Sequence, residues 1–419
     1  MKHHKKLEVL ILYVEVLALI CVVVFAIINP REKVVSKDMQ QMMEEMSHQP
    51  IAMPEEDSEE DDETVNRYHY EISDEAQAKL AEMTLEEKVA QMYIVRPEQL
   101  MDIRRVVVAG NKTKLMIDQY PVGGFVYSEL NFEDEEQTKK LITGVNQLGM
   151  DRVGIPMYLA IQEVGGEEAS PMAKLLGYEI QKYAIELADT QDETQVRNTA
   201  GYIADYLKQT GINMNLSTVV DLATANETAA DMICYGKDAE VAKTLALASM
   251  ETYEEKGIST VVKYFPERNS AVVDTETESL VATKNIEEHL ETDFYVCQGA
   301  INMGAKAVML SNVTDSSVSK EAVPASLSKD AVNYLRDTMG FEGIIITDSL
   351  AETYVSGNYT VEEATVKAFN AGVDVIYDPV DFVKSYNALL TAIQNGDIDE
   401  SEVDKRVGRI LTLKLASIE

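Results

Sequence analysis

Phe341-Glu342-Gly343-Ile344-Ile345-Ile346-Thr347-Asp348-Ser349-Leu350 is the stretch that decides how the remainder of the chain is read. The unbroken Ile344–Ile346 run after a glycine reads as a strand buried on both faces, and it stops abruptly at Thr347 and a carboxylate. In a barrel of parallel strands the active site lies at the C-terminal strand ends, so Asp348 is the first candidate for chemistry. The competing structural reading is that Asp348 or Ser349 caps the helix that follows.

Working outward from that strand, seven more short apolar runs have the same character: Gln91–Val95, Gly123–Tyr127, Met157–Ile161, Ile212–Leu216, Thr260–Lys263, Ala307–Ser311 and Val373–Tyr377. Between them lie stretches with apolar residues at helical spacing, among them Glu135–Leu148, Ala239–Lys256, Ile286–Met303 and Lys329–Met339. Eight alternations predict an α/β fold, a (β/α)8 TIM-like barrel. An open doubly wound sheet would alternate in the same way, but no G-x-G-x-x-G turn follows the first run. Most of the runs end on polar groups: Gln162 and Glu163, Asp221, Lys263, Asn312, Asp348 and Asp378. Gathered on one face, they predict a pocket in which Asp348, Lys263, Glu163 and Asp221 share one cavity. Because Lys263 is the only cation of the set, a neutral polyol is favoured over a phosphate.

The 419 residues, 46% hydrophobic and 26% charged, are enough for a full core. A formal net charge of −35 leaves no basic face for phosphates, which argues against nucleic acid as a partner. Cys21, Cys234 and Cys297 make no disulfide framework; a Cys234–Cys297 bridge is compatible with export, and two idle thiols are the simpler expectation. With 5 histidines scattered along the chain, no metal site and no cofactor are expected. Leu7–Ile28 is a nearly continuous apolar run behind a cluster of lysines, long enough to span a bilayer, which needs about 20 residues. The charge asymmetry places the amino terminus inside and the remainder outside. Glu15, within the run, costs roughly 2.5–3.5 kcal/mol on insertion scales, which the surrounding Leu and Val offset. No small-x-small site follows it, so residues 1–30 read as an uncleaved single-pass anchor in the cell membrane. Residues 31–70, centred on the acidic run from Glu55 to Glu63, read as a disordered tether, and 71–419 as one monomeric barrel on the extracellular side.

The ordered motifs of that last region resemble the N-terminal domain of glycoside hydrolase family three, and within it the single-domain β-N-acetylhexosaminidases that act on peptidoglycan-derived sugars. Carrying the resemblance are Met83-Thr84-Leu85-Glu86-Glu87-Lys88-Val89-Ala90-Gln91-Met92, Val122-Gly123-Gly124-Phe125-Val126 and Gly211-Ile212-Asn213-Met214-Asn215 with Asp221. Lys263-Tyr264-Phe265-Pro266, Gly340-Phe341-Glu342-Gly343 with Thr347-Asp348-Ser349, and Ala371-Gly372-Val373-Asp374 continue the series. The resemblance implies a (β/α)8-like barrel that hydrolyses terminal β-linked sugars with retention, with Asp348 as nucleophile. The polar strand ends Gln162, Glu163, Asp221, Lys263 and Asn312, with Tyr264 beside Lys263, are the candidate sugar contacts.

The departures from the family pattern are as specific as the matches. Where the family has Asp-x-Glu-Gly-Gly-Arg, this chain has Gln162-Glu163-Val164-Gly165-Gly166-Glu167; its Lys-His is Lys263-Tyr264, and its Gly-His-Gly is Glu267-Arg268-Asn269. A fourth-loop Arg is replaced by Ile233, a His after the sixth strand by Asn312, and the Asp-x-His acid/base dyad by Asp274-Thr275-Glu276. Glu276, with Asp274 as a neighbouring like charge, is thus the candidate acid/base, set against a nucleophile about 5–5.5 Å away in a retaining enzyme. Losing Asp and Arg contacts removes charge-assisted hydrogen bonds of about 1.5–3 kcal/mol each. The alternative reading is therefore a barrel that binds wall glycan or another carbohydrate without turnover, and the retained Asp348 favours the enzyme.

Overall fold

The computed structural model describes residues 71–224 and 228–416. The anchor expected over residues 7–28 and the tether over 31–70 lie outside the described residues, and no described helix is long and apolar enough to cross a membrane. Twelve strands run through the described residues: β1 (Tyr93–Val95), β2 (Gly124–Val126), β3 (Tyr158–Ile161), β4 (Met214–Asn215), β5 (Ser259–Thr260), β6 (Val262–Phe265), β7 (Val272–Asp274), β8 (Ser279–Val281), β9 (Ala307–Leu310), β10 (Val313–Thr314), β11 (Ile344–Thr347) and β12 (Ile376–Tyr377). Parallel pairing runs β12-β1-β2-β3-β4-β5 and β11-β9-β6. Val261 alone separates β5 from β6, and Ile346 of β11 forms a parallel bridge to Val375 next to β12. The result is an α/β fold whose parallel sheet curls round on itself in the manner of a TIM barrel.

Local chemistry explains why the eight expected runs became its staves. Ile344, Ile345 and Ile346 are each at most 1% exposed, as a strand covered on both faces requires. Helices close the crossovers with the caps their sequences offer. Thr84 and Glu87 form a reciprocal capping box for Leu85–Gln91, and Asp134 accepts the Gln137 N–H at 2.8 Å to start Glu135–Val153, which ends on left-handed Gly154 (φ 67°). Close packing of the first three strands depends on Gly124, where a Cβ would stand 2.4 Å from the Tyr158 carbonyl oxygen.

Two features depart from the sequence expectation. The Ile286–Met303 helix is broken at Thr292 (φ −126°, ψ −107°) into Ile286–Glu291 and Asp293–Asn302. The break turns the Asp293 carboxylate inward, where Oδ1 accepts the Leu222 N–H at 3.1 Å and Oδ2 meets the Lys284 ammonium. The second feature is a small sheet outside the barrel, in which β7 and β8 form a hairpin and β8 runs parallel to β10. These strands are two or three residues long and bury only Leu280 and Val313, too little apolar periodicity to be legible. Cys234 and Cys297 are buried free thiols that form no bridge.

Candidate active site

Asp348 stands one residue beyond β11, and its backbone N–H continues the ladder to the Leu310 carbonyl at 2.7 Å. Neither it nor Ser349 caps the following helix, Thr353–Ser356, whose N-cap is Glu352; Ser349 Oγ instead donates to Asp378 Oδ2 at 2.8 Å. The Asp348 side chain is 7% exposed as a residue, with Oδ1 accepting the Ser349 N–H at 2.8 Å. Oδ2 has no hydrogen-bond partner and lies 3.7 Å from Arg268 Nε, which is itself without one. Burial pushes the carboxyl up to about 6, with Arg268 and Lys263 pulling against it and Glu352 adding to it. One oxygen of this carboxyl is unengaged.

Lys263 comes from β6, fully buried, and donates from Nζ to Gln162 Oε1 at 2.8 Å. Burial brings its ammonium down to about 8, although Asp348 and Asp221 oppose that. The neighbouring Tyr264 ring lies 5.3 Å from the Lys263 ammonium and 5.4 Å from the Arg268 guanidinium. Asp221 takes three backbone N–H bonds, from Tyr264 at 3.1 Å, Arg268 at 2.9 Å and Asn269 at 3.0 Å. Its carboxylate thereby shapes the loop after β6, while burial and the like charges of Asp293 and Glu267 push it upward. Beside these groups opens a cleft of about 440 Å³ that Gln162, Asp221, Tyr264, Arg268, Asn269 and Tyr354 help to line, a volume suited to a small-molecule ligand. Ile233, where the family pattern has a cation, gives the same cleft an apolar wall.

Of the four groups expected in one cavity, Asp221 lines this cleft; Lys263 reaches it through its bond to Gln162, Asp348 stands behind Arg268 and is not part of the lining, and Glu163 faces away. Its Oε2 accepts the Met172 N–H at 3.0 Å, and its Oε1 accepts the Ala173 N–H at 3.0 Å and the Tyr206 hydroxyl at 2.8 Å. The reason is the alternation of an extended chain: Gln162 points into the cleft, so the next side chain points out toward the helices. Asn312, at the end of β9, is held by Ser326 on its oxygen at 2.6 Å and gives its amide to the Ser349 carbonyl at 2.8 Å and Glu352 Oε2 at 2.9 Å. Asp274 and Glu276 sit at the turn of the β7–β8 hairpin. There the Asp274 carboxylate accepts the Glu276 N–H at 2.9 Å and the Thr277 hydroxyl at 2.9 Å, bonds that hold it below its usual range, and Glu276 is exposed. The turn's backbone and Thr277, and not the Glu276 side chain, therefore engage Asp274.

Two residues that the sequence reading passed over complete the site. Arg268 pairs through Nη2 with Glu352 Oε1, and the pair ties the β6 loop to the segment that follows Asp348. Arg268 was visible as a cation five residues after Lys263, within Glu267-Arg268-Asn269, and Glu352 as an acid four residues after Asp348. Behind the β6 loop lies a buried ionic cluster: His289 Nε2 is 2.9 Å from Asp315 Oδ2, Nδ1 is 3.8 Å from Asp293 Oδ2, and Glu267 accepts both the N–H and the hydroxyl of Ser270 at 2.9 Å.

With this geometry in hand, the comparisons with known proteins are specific. Residues 84–413 match the Glycosyl hydrolase family 3 N terminal domain. The chain is 25% identical over 340 residues to β-hexosaminidase LpqI of Mycobacterium tuberculosis, which covers 78% of this chain and 82% of that one. It is 21% identical over 327 residues to β-hexosaminidase A of Pseudoalteromonas piscicida, where the match covers 71% of this chain but only 54% of that one. A solved glycoside hydrolase family 3 β-N-acetylglucosaminidase from a Paenibacillus species superposes with a TM-score of 0.73 at 26% identity, covering 80% of this chain and 63% of the other. With its match running through nearly all of the curled sheet, the chain belongs to glycosyl hydrolase family 3, a family of O-glycosyl hydrolases, by its N-terminal domain.

Proposed function

We propose that this protein is a membrane-anchored glycosidase that removes terminal β-linked N-acetylhexosamines, including those of peptidoglycan-derived glycans, on the outer side of the cell membrane. The observation that carries the reading is the buried Asp348 with one unengaged oxygen at the C-terminal end of a barrel strand, separated by Arg268 from a sugar-sized cleft. The relatives named β-hexosaminidase supply the sugar class, and the apolar run over residues 7–28 supplies the anchor and the location. The protein acts as a monomer.

In the reaction a lone pair of Asp348 Oδ2 attacks the anomeric carbon while the glycosidic C–O bond breaks and the leaving oxygen takes a proton from the acid, Glu276. In the second step Glu276 removes a proton from water, whose oxygen attacks the same carbon and releases Asp348. Retention of configuration follows from the two displacements. Lys263, Gln162 and Tyr264 hold the sugar in the cleft, and Asp221 shapes the loop that carries Tyr264. The residue that must travel is Glu276, which rides on the β7–β8 hairpin directly after the site loop.

A second reading is favoured by one observation: the Arg268 cation beside Asp348 opposes the positive charge that an oxocarbenium-like transition state develops. In that reading the barrel binds wall glycan and does not turn it over. Assay of the full-length chain against a panel of chromogenic β-glycosides, with Asp348→Asn alongside, separates the two. Release of the aryl group by the wild type and none by the variant supports the hydrolase; saturable glycan binding with no release at any pH supports the binding barrel.

A further inference from the structure

Arg268 is placed by more contacts than a surface arginine has. Asp221 fixes its backbone by accepting the N–H groups of Arg268 and Asn269 at 2.9 and 3.0 Å and that of Tyr264 at 3.1 Å. The Tyr264 ring lies 5.4 Å from the guanidinium carbon, within cation–π range. Nη2 binds Glu352 Oε1, and Glu352 is in turn held through Oε2 by the Asn312 amide at 2.9 Å. The same amide reaches the carbonyl of Ser349, next to the nucleophile, at 2.8 Å. What this framework leaves open is a single gap: Arg268 Nε and Asp348 Oδ2, 3.7 Å apart, are both buried and neither makes a hydrogen bond.

We infer that Arg268 is a positioning residue for the nucleophile: Glu352 and Asn312 hold its guanidinium off the carboxylate, close enough to keep Asp348 charged and too far to occupy Oδ2. This rests on the reading of Asp348 as the nucleophile. A direct bidentate Arg–carboxylate pair would engage both oxygens and blunt their nucleophilicity. Glu352 prevents this by taking one arm of the fork, and the remaining Coulomb attraction at 3.7 Å still favours the ionised form.

The test is the titration of Asp348 itself, read from its carboxyl resonance in the full-length chain labelled with 13C-aspartate in detergent and identified by its loss in Asp348→Asn. The wild-type midpoint is expected near the value of about 6 that burial and the two cations set. In Arg268→Gln the midpoint rises by about one to two units, since a neighbouring opposite charge accounts for a shift of that order; in Arg268→Lys it rises by less than half as much. Glu352→Gln moves it the other way, downward, because the like charge is gone and the guanidinium is free to close on Asp348. Opposite shifts in the two variants are what mere loosening of the loop cannot give. Shifts in the same direction, or no shift above about 0.3 unit in either variant, overturn the inference. No substrate is needed, so a chain that cleaves nothing still reports on Arg268; where turnover is measurable, the acid limb of kcat/KM moves with each midpoint.

Discussion

Arg336 donates from Nη2 to Asp374 Oδ2 at 2.7 Å, and this pair closes the end of β11 opposite to the one that delivers Asp348. Asp374 Oδ2 also accepts the Ile345 N–H at 2.8 Å and Oδ1 the Arg409 Nη1 at 2.7 Å, while Arg336 Nη1 reaches the Phe341 and Gly343 carbonyls at 2.9 and 2.6 Å. One buried carboxylate thus joins the strand, its entry turn and the C-terminal helix Glu400–Ala416. The strand that carries Asp348 is anchored by ion pairs a strand length away from it.

Removing that carboxylate takes the counter-charge from two half-buried guanidinium groups and the acceptor from the Ile345 N–H. Asp374→Ala is expected to cost about 3–5 kcal/mol, the usual consequence of breaking a buried pair from one side, measured as a loss of urea stability. A loss under about 1 kcal/mol would mean that the arginines find water or other carbonyls instead.

Asp348 has the opposite effect on stability. Burial pushes its carboxyl up to about 6, above the ordinary 3.8 of an exposed aspartate, so the folded state binds a proton more readily than the unfolded one. The penalty of ionising it in place is therefore absent below pH 3.8, grows between 3.8 and about 6, and is complete above. Asp348→Asn should accordingly abolish turnover and raise the melting temperature at pH 7, by the equivalent of about 1–3 kcal/mol, with no gain near pH 4. Thermal melts of the two proteins at pH 4, 5.5 and 7 read this directly, and an equal gain at all three would remove the charge from the explanation.

His289 links pH to the loop behind the site. Burial pulls its imidazole down, but Asp293 and Asp315 on either side overcome that and hold it at about 9, above the usual 6.5; Lys284 on Asp293 and the carboxylate of Glu267 are the other charges facing the cluster. A group whose folded pKa is raised contributes its stability fully below the unfolded value and loses it as pH passes the folded one. The contribution, on the order of 3 kcal/mol, is present at pH 6 and gone by about pH 10. His289→Gln should flatten this alkaline decline; a wild-type melting temperature constant from pH 7 to 10 would contradict it.

How much of this could be read from residues alone follows from the physics of each signal. The eight barrel strands were legible because strands buried on both faces are continuous apolar runs, and Ile344–Ile346 is as plain a case as a sequence offers. Strand ends carrying polar groups marked the face of the site. The alternation one residue further on was harder: Gln162 and Glu163 are adjacent and equally polar, and only the register of β3 against β4 sends one into the cleft and the other to Tyr206. Arg268 was read as a lost glycine–histidine motif when it is also a gained cation, because a sequence does not show which loop residues converge on Asp348. The break at Thr292 depends on Leu222, 70 residues earlier, and no helical periodicity registers such a contact.

The acid/base step gives the last prediction. Glu276 is exposed at the hairpin turn, and the Asp274 carboxylate is engaged by that turn's own N–H and hydroxyl. For a carboxylic acid to protonate a leaving oxygen at useful pH it must be moved toward 6 or 7, from a free value of about 4.3. Here that shift has to come from carrying Glu276 over the cleft and excluding water when substrate binds. A carboxylic acid in this role predicts turnover that peaks at acidic pH and falls toward neutrality. Glu276→Gln should lose roughly 10²–10⁴-fold on unactivated β-glycosides, the usual worth of a general acid or base. It should retain the first, bond-breaking step on aryl glycosides with good leaving groups, which need little protonation. Azide, a nucleophile that requires no base, should then restore release of the glycosyl-enzyme and give the β-azide product. If Glu276→Gln treats activated and unactivated substrates alike and azide changes nothing, the proton comes from another group, and Glu276 is only the tip of an exposed hairpin.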